Sequence, residues 1–436
     1  MTMTMTMMMR RRRTTIMPAV LALAACARAP GVALDAPREV SAPTAVGAAP
    51  VVALRDDGTR ATAWVSADGG GDQGVLHVQV GDTGVVGALR DPLGPIEPHG
   101  EAPPKLVWLR DGGVGALYAV GRIVPGRRFP ASALRFARSD DGGRTWRAPV
   151  TVADSALFAS YNFHALHVAA DGLLYAAWLD GRHGKSAAYT ARSDDGGVTW
   201  SRNVRVDMGE SCPCCRTALA SGANGRLYLA WRSVLPGNVR DIVVARSDDR
   251  GATWGTPVRV HADGWVYDGC PHAGPSLAVD ADGALHATWW TGKDGRAGVW
   301  YAKSTDGART FGAPVAMGVA GASRPAHAQL AVGDSARVVV TWDDGTRAVP
   351  RVMLRASRDG GATFGDAVPA SDSAAAAQFP VLALHGDRVT LVWAEQAAAV
   401  AARAAKARPN MKDPSVRMPL PRVGETRVLL RTGTVQ

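Results

Sequence analysis

Four cysteines and one histidine carry the clearest chemistry in the sequence, because they fall in two short segments. They are Cys212, Cys214, Cys215, Cys270 and His272. Thiolate sulfur and imidazole nitrogen are ligands that soft metal ions such as copper and zinc prefer. The spacing therefore predicts a copper or zinc site, to which His164 or His327 could add a further imidazole.

The same cysteines allow a second interpretation, as disulfides. Oxidising compartments outside the cytosol favour disulfide formation. Cys270 is the only distant partner, so a second disulfide would have to join two of the three clustered cysteines. Neighbours that close rarely reach an unstrained disulfide geometry. A metal site and a single disulfide with two remaining thiols therefore both stay open.

An internal repeat predicts the elements that must position these residues. The pattern Ser-x-Asp-x-Gly-x-Thr-Trp, or a close variant, begins at residues 139, 193, 247, 304 and 357. Between the copies, apolar runs separated by Asp/Gly turns predict four short strands per unit. Four antiparallel strands per repeat are typical of one propeller blade. The sequence therefore predicts an all-β fold, a β-propeller of four-stranded antiparallel blades.

The number of blades follows from the second strand of each unit. Seven such strands can be counted, which favours seven blades over six. The last unit has a third strand at 426–431 but too little chain for a fourth. Residues 37–42 resemble the fourth strands of other units, so we expect them to complete the last blade and close the ring. Closure removes exposed strand edges that would otherwise promote aggregation.

The strand order also predicts which face of the propeller carries a functional site. The Asp-containing repeat lies between the third and fourth strands, which places it on one face. The loops that enter each first strand lie on the opposite face, close to the central channel. The clustered cysteines and the segment 270–272 enter consecutive blades. These two segments are therefore expected to lie side by side above the channel.

The repeated pattern is the Asp box, or BNR repeat, and the chain resembles sialidases built from it. This resemblance covers nearly all of the chain after its first 26 residues. It implies a structural role for the Asp box and an exported glycoside hydrolase, an exo-sialidase, or a binder of anionic glycans. Sialidases have six blades, so seven would be a departure. They hold the substrate carboxylate with three arginines and use a tyrosine nucleophile activated by a glutamate.

The resemblance implies four catalytic candidates: Glu210, Arg232, Arg324 and Tyr267. Glu210, followed by residues 225–228 and then Arg232, resembles the stretch that holds the activating glutamate and the second arginine, although the separation is longer. Arg324 would be the third arginine, and Tyr301 is an alternative nucleophile. The motif of the first arginine has only a partial counterpart, at 121–125. A non-enzymatic metal-binding propeller or scaffold is the alternative function.

The N-terminus is predicted to direct export. Arg10–Arg13 precede an apolar stretch that ends in Leu-Ala-Ala-Cys, an order typical of a signal peptide. This ending resembles the lipobox of bacterial lipoproteins, which implies that Cys26 is lipidated and anchors a periplasmic or cell-surface protein to a membrane. An ordinary secretory signal is the alternative. The expected organisation is a signal peptide (1–26), a tether with a possible ring-closing strand (27–50) and the propeller (51–436).

The charge of the chain gives little support for a nucleic-acid partner. The formal net charge is +10, and removal of the four signal arginines would leave 10 − 4 = +6. The remaining basic residues are spread over many loops and form no basic tract. The resemblance to sialidases implies a glycan or another small anionic ligand as the partner, and the lipobox-like segment implies the membrane.

Overall fold

The computed structural model describes residues 31–41, 48–67, 74–82, 84–125, 131–319, 325–345, 349–401 and 426–436. Within these residues, 29 strands form seven antiparallel sheets, one for each blade. The predicted all-β propeller, with seven blades rather than six, is confirmed. Two of the predicted site residues, Cys26 and Arg324, lie outside the described residues, as does the predicted signal peptide.

The first three blades follow one another along the chain after two short N-terminal strands. The N-terminal strands are β1 (Val32–Leu34) and β2 (Arg38–Glu39). Blade 1 contains β3 (Ala48–Leu54), β4 (Arg60–Ala67), β5 (Gly74–Val80) and β6 (Val86–Leu89). Blade 2 contains β7 (Lys105–Trp108), β8 (Val114–Arg122), β9 (Ala131–Ser139) and β10 (Val150–Thr151). Blade 3 contains β11 (Tyr161–Val168), β12 (Leu174–His183), β13 (Lys185–Ser193) and β14 (Val204–Arg205).

The remaining blades have the same order of strands, and the last is completed by the N-terminus. Blade 4 contains β15 (Ala218–Ser221), β16 (Leu227–Arg232), β17 (Ile242–Ser247) and β18 (Val258–Arg259). Blade 5 contains β19 (Ser276–Val279), β20 (Leu285–Thr291), β21 (Gly298–Ser304) and β22 (Val315–Val319). Blade 6 contains β23 (Pro325–Val332), β24 (Val338–Asp344), β25 (Arg351–Ser357) and β26 (Val368–Pro369). Blade 7 contains β27 (Ala375–His385), β28 (Arg388–Ala397) and β29 (Thr426–Val435).

The ring is closed by antiparallel pairing of both N-terminal strands with β29. Val32 pairs with Val435, and Arg38 pairs with Leu430. Strand β2 lies inside the segment 37–42 that resembles a fourth strand, whereas β1 lies before it. The Ala/Pro composition of residues 27–50 predicts a tether, but strand β3 already begins at Ala48. Ala48 pairs with Val65, ahead of a bulge in the strand.

Buried tryptophans in the second strands form much of the packing between blades. Trp178, Trp231, Trp289 and Trp393 are each at most 1 % exposed. Each indole Nε1 donates to a carboxylate at 2.9–3.2 Å; the acceptors are Asp180, Asp207, Asp263 and Glu395. A buried indole keeps its large apolar contact only if its N–H finds a partner. These paired tryptophans therefore stabilise the blades at little polar cost.

The hydrogen bonds of the Asp boxes agree with a structural role. In the box of blade 3, the Asp195 carboxylate accepts from the Ser193 hydroxyl at 2.7 Å and from the Thr199 hydroxyl at 2.6 Å. The following Trp200 packs edge-on against Phe136 of blade 2, with ring centroids 5.4 Å apart. The carboxylate thus holds the turn together while the aromatic ring contacts the preceding blade.

Among the described residues, no helix is long and apolar enough to span a membrane.

Candidate functional site

The inner strands surround a central channel and differ in length between blades. Each inner strand contacts those of the two neighbouring blades, and residues from all seven line a cavity of about 210 Å³. In blades 2, 4 and 5 the inner strand has only four residues. A long segment precedes each of these three strands, and we call the segments 90–104, 206–217 and 260–275 the mouth loops. All five predicted metal ligands lie in two of the mouth loops.

Several bulky residues at the start of the inner strands have a left-handed backbone. Phe163, His327 and Phe379 have φ of 50–55°, each at a bulge in its inner strand, and His272 in a mouth loop has φ of 50°. Bulky residues rarely adopt this conformation. Such strain is concentrated at functional sites, where the surrounding structure enforces it. The channel mouth therefore has the backbone strain that is typical of a functional site.

The structure brings the five predicted ligands together in two sets of three. The sulfur set is Cys212, Cys214 and Cys215, and the mixed set is Cys214, Cys270 and His272. In each set the ligand atoms lie within 4.8 Å of one another. The Cys212 Sγ is 3.7 Å from the Cys214 Sγ and 3.8 Å from the Cys215 Sγ. In a tetrahedral site with metal–sulfur bonds of about 2.3 Å, the sulfur–sulfur separation is about 3.8 Å.

The environment of the sulfur set favours one thiolate and two thiols. Hydrogen bonds from the Cys214 and Cys215 thiols lower the pKa of Cys212 well below its usual range, and the charges of Arg232 and Arg240 lower it further. Arg240 Nη1 donates to the Cys212 Sγ at 3.2 Å. Hydrogen bonds between Cys214 and the other thiols raise the pKa of Cys214. Burial raises the pKa of Cys215 to about 12. A metal ion bound here would have to displace the protons of these two thiols.

Two stacked imidazoles extend the site towards blade 2. The rings of His99 and His272 lie 5.6 Å apart between centroids, and Phe163 packs edge-on against His99 at 5.4 Å. Burial, and next the charge of His272, lower the pKa of His99 to about 4. Burial also lowers the pKa of His272. Both rings are therefore neutral at pH 7, and the neutral imidazole is the form that binds a metal.

A buried ion pair connects the three mouth loops. Glu101 accepts from the Arg216 guanidinium at 2.6 Å and from the backbone N–H of Gly274 at 2.5 Å. The Arg216 Nη2 donates to the carbonyl of Ala328 in β23 at 2.5 Å. Burial alone would raise the pKa of Glu101, but Arg216 and the other donors hold it below its usual value. This network fixes blades 2, 4, 5 and 6 relative to one another at the mouth.

Arg232, the predicted carboxylate-binding arginine, lies in the interior and is engaged by backbone carbonyls. Its Nη1 donates to the carbonyl of Arg240 at 2.7 Å, and its Nη2 donates to those of Ala273 and Trp290 at 2.8 and 2.6 Å. The guanidinium also lies 5.3 Å from the ring centroid of Trp265. These contacts connect blade 4 to blade 5, and the side chain is only 1 % exposed.

The other described catalytic candidates have separate partners. Glu210 is half-exposed and forms an ion pair with Lys185 at 2.9 Å. Tyr267 stacks on Trp265, with ring centroids 4.8 Å apart. Within the described ranges, no hydrogen bond or ion pair joins the side chains of Glu210, Arg232 and Tyr267. The structure therefore brings the predicted metal ligands together, whereas the side chains of these candidates each bind other groups.

Sequence reasoning did not assign a role to three residues of the site. His99, Phe163 and Arg240 contact the predicted ligands or stack on them. A signal for His99 exists, because it lies in a segment that enters a first strand. Arg240 lies in the loop between β16 and β17, and nothing in its local sequence marks it as a partner of Cys212.

Comparison with known proteins agrees with this fold. Residues 107–264 match the family model described as a BNR repeat-like domain, which confirms the recognition of the repeat. No curated protein matches the chain in sequence. A Dyadobacter fermentans protein of unknown function is 16% identical, with 93% of this chain and 100% of that chain covered and a TM-score of 0.52.

Two solved enzymes are also similar. An ulvan lyase from a polysaccharide lyase family, bound to GlcA(1-4)Rha3S, is 13% identical, with 82% of this chain and 93% of that chain covered and a TM-score of 0.54. A Hadza microbial sialidase is 17% identical, with 77% of this chain and 74% of that chain covered and a TM-score of 0.44. At such low identity, the likeness to the lyase shows the fold alone.

Proposed function

We propose that this Asp-box β-propeller, of the BNR-repeat type, is an exported protein that binds a soft metal ion, copper or zinc, at the mouth of its channel. The observation that carries the proposal is the convergence of four cysteines and a histidine from the mouth loops of two consecutive blades. Three of the sulfurs are buried. Crowded thiolates repel one another, and a bound cation relieves that repulsion.

The surroundings of the cluster suit binding better than catalysis. Catalytic zinc sites keep an open position for water, whereas the sulfur set is enclosed. Cys212 already favours its thiolate form because of its thiol donors and nearby arginines. A metal ion would join the mouth loops of blades 4 and 5, so its binding free energy would add to the stability of the folded state.

Metal content should depend on His272 and not on an unrelated histidine. After anaerobic purification we expect copper or zinc by elemental analysis, with less metal in His272→Ala, because this change removes a ligand of the mixed set. His183→Ala is the matched control, since His183 is exposed and belongs to neither set. At a metal concentration of about 100 times Kd, the holo protein should be about 2.7 kcal/mol more stable than the apo protein.

If the cysteines form disulfides, the same preparation should contain neither copper nor zinc. Absence of metal, together with fewer than two titratable thiols in the unfolded protein, would overturn the proposal in favour of oxidised cysteines. Wild-type protein that is reduced but binds neither added Cu(I) nor Zn²⁺ would also overturn it.

Binding or cleavage of a glycan at the same face is the second candidate. The half-buried rings of Phe163, Phe379 and His327 surround the mouth, and ligand sites are commonly lined by such rings. Burial lowers the pKa of His327, but Asp343 raises it above its usual value. The imidazolium form is therefore favoured, and its positive charge would attract an anionic ligand. Turnover of a fluorogenic sialoside or of a uronate polysaccharide that survives chelation and is lost in His327→Ala would favour this candidate.

We expect the protein to be anchored to a membrane through Cys26. The lipobox-like Leu-Ala-Ala-Cys sequence is the basis for this expectation. Wild-type protein expressed in a bacterium should partition into the detergent phase with the membrane fraction, whereas Cys26→Ser should be recovered in the aqueous phase. Wild-type protein recovered in the aqueous phase without a lipid mass increment would support an ordinary secretory signal instead.

A further inference from the structure

We infer that the channel mouth holds two Cu(I) ions bridged by the thiolate of Cys214. This inference rests on the proposed function, and it concerns the number and kind of ions. The sulfur set and the mixed set share one atom, the Cys214 Sγ. Two ligand atoms of one ion, with bonds of about 2.3 Å, can be at most about 4.6 Å apart. The five ligand atoms form two groups, each within 4.8 Å, rather than one, so a single ion reaches only one set.

The number and burial of the ligands favour copper over zinc. Each set supplies three ligands, and all three residues of the sulfur set are at most 4 % exposed. Zinc is almost always four-coordinate and would need a water molecule in this enclosed place. Cu(I) is a soft ion that thiolates select and that is satisfied by three ligands. The sulfur set therefore fits a three-coordinate Cu(I) ion.

The charge of the site is compatible with two bound ions. Four thiolates carry a formal charge of about −4, and two Cu(I) ions reduce it to about −2. The guanidinium groups of Arg240, 3.2 Å from the Cys212 Sγ, and of the buried Arg232 supply the remaining two positive charges. Binding exchanges thiol protons for Cu(I) and requires no electron transfer.

The two positions differ in their access to solvent. Cys270 is exposed and His272 is half-buried, whereas the sulfur set is enclosed. The strained backbone of His272, with φ of 50°, and the stack with His99 hold its ring in place. We therefore expect the ion of the mixed set to exchange with external chelators faster than the ion of the sulfur set.

The test is the stoichiometry of Cu(I) in the reduced, full-length protein. Anaerobic titration with Cu(I) against a chromophoric chelator should give two ions per chain in wild type and in His183→Ala. His272→Ala, which removes a ligand of the mixed set only, and Cys215→Ser, which removes one of the sulfur set only, should each retain one tightly held ion. Cys214→Ser should lose tight binding at both positions, and X-ray absorption of wild type should show a short copper–copper contact.

The outcomes separate this inference from the function on which it rests. One Cu(I) per chain in reduced wild type, or one tightly held ion in folded Cys214→Ser, would overturn the bridged pair but leave metal binding standing. No bound copper or zinc in the wild type would overturn both. Circular dichroism and the melting temperature show whether each variant is folded. The wild-type stoichiometry decides the question even if Cys214→Ser does not fold.

Discussion

Replacing Arg216 with methionine is expected to lower the free energy of unfolding by about 3–5 kcal/mol, because it leaves the Glu101 carboxylate buried without its counter-charge. Glu101 is fully buried, and its ion pair with Arg216 connects mouth loops that are far apart in sequence. Methionine keeps much of the volume of the side chain, so the loss of charge is the main change. Urea unfolding at pH 7.5 measures the effect.

The pH dependence identifies Glu101 as the cause. In the wild type the pKa of Glu101 lies below its usual 4.5, so the carboxylate adds stability above about pH 4.5 that is lost as the pH falls through the native pKa. In Arg216→Met, burial without the arginine should raise the pKa of Glu101 above that value. The variant then binds a proton more readily when folded than when unfolded. Its deficit relative to the wild type should therefore be largest at neutral pH and shrink as the pH falls.

A second substitution supplies the control for this prediction. In Glu101→Gln/Arg216→Met neither charge remains, so the double variant should recover part of the lost stability at neutral pH. An equal loss in Arg216→Met at pH 7.5 and pH 5, with no recovery in the double variant, would contradict the prediction. It would indicate that packing, rather than the uncompensated carboxylate, determines the cost.

The fold could be predicted from the sequence because its repeats carry the information locally. Each of the five Asp boxes contains both its hydrogen-bonding groups and an aromatic residue, so each box defines one of blades 2 to 6. The closeness of the two cysteine segments was also predictable, since consecutive blades are neighbours. The metal-ligand geometry of the sulfur set depends on chain positions only two or three residues apart.

The partners of Arg232 and His99 could not be predicted from the sequence, because these contacts join distant positions of the chain. The local sequence around Arg232 is the same whether its guanidinium faces the channel or the next blade, and only the structure shows the carbonyls of Ala273 and Trp290 as its partners. Similarly, His99 stacks on His272 from a loop more than 170 residues away along the chain. A pattern in a single sequence does not encode such pairings.

Substitution of Gly197, a glycine of the Asp box in blade 3, is expected to disturb the packing between blades. A Cβ atom added to Gly197 would lie 1.9 Å from the Cε1 atom of Phe136, and Gly197 has φ of +91°. Gly184 has almost the same φ, +88°, but a Cβ atom there would have nothing within 4 Å. Gly184→Ala should therefore cost about 1–2 kcal/mol from backbone strain alone. Gly197→Ala should cost about 2–5 kcal/mol, since overpacking adds about 1–3.

The Asp box of blade 5, which lacks this glycine, shows why the neighbouring side chain decides the cost. Ala308 occupies the glycine position there with φ of 64°, and it packs in the same buried cluster as Val244 of blade 4. Val244 occupies the position in β17 that Phe136 occupies in β9, three residues before the serine of each box. A smaller neighbour therefore accommodates the methyl group. We expect Phe136→Val to be destabilising in the wild type but to recover stability in Gly197→Ala, and thermal unfolding of the four proteins measures the coupling. Equal costs for Gly184→Ala and Gly197→Ala would instead assign the whole effect to backbone strain.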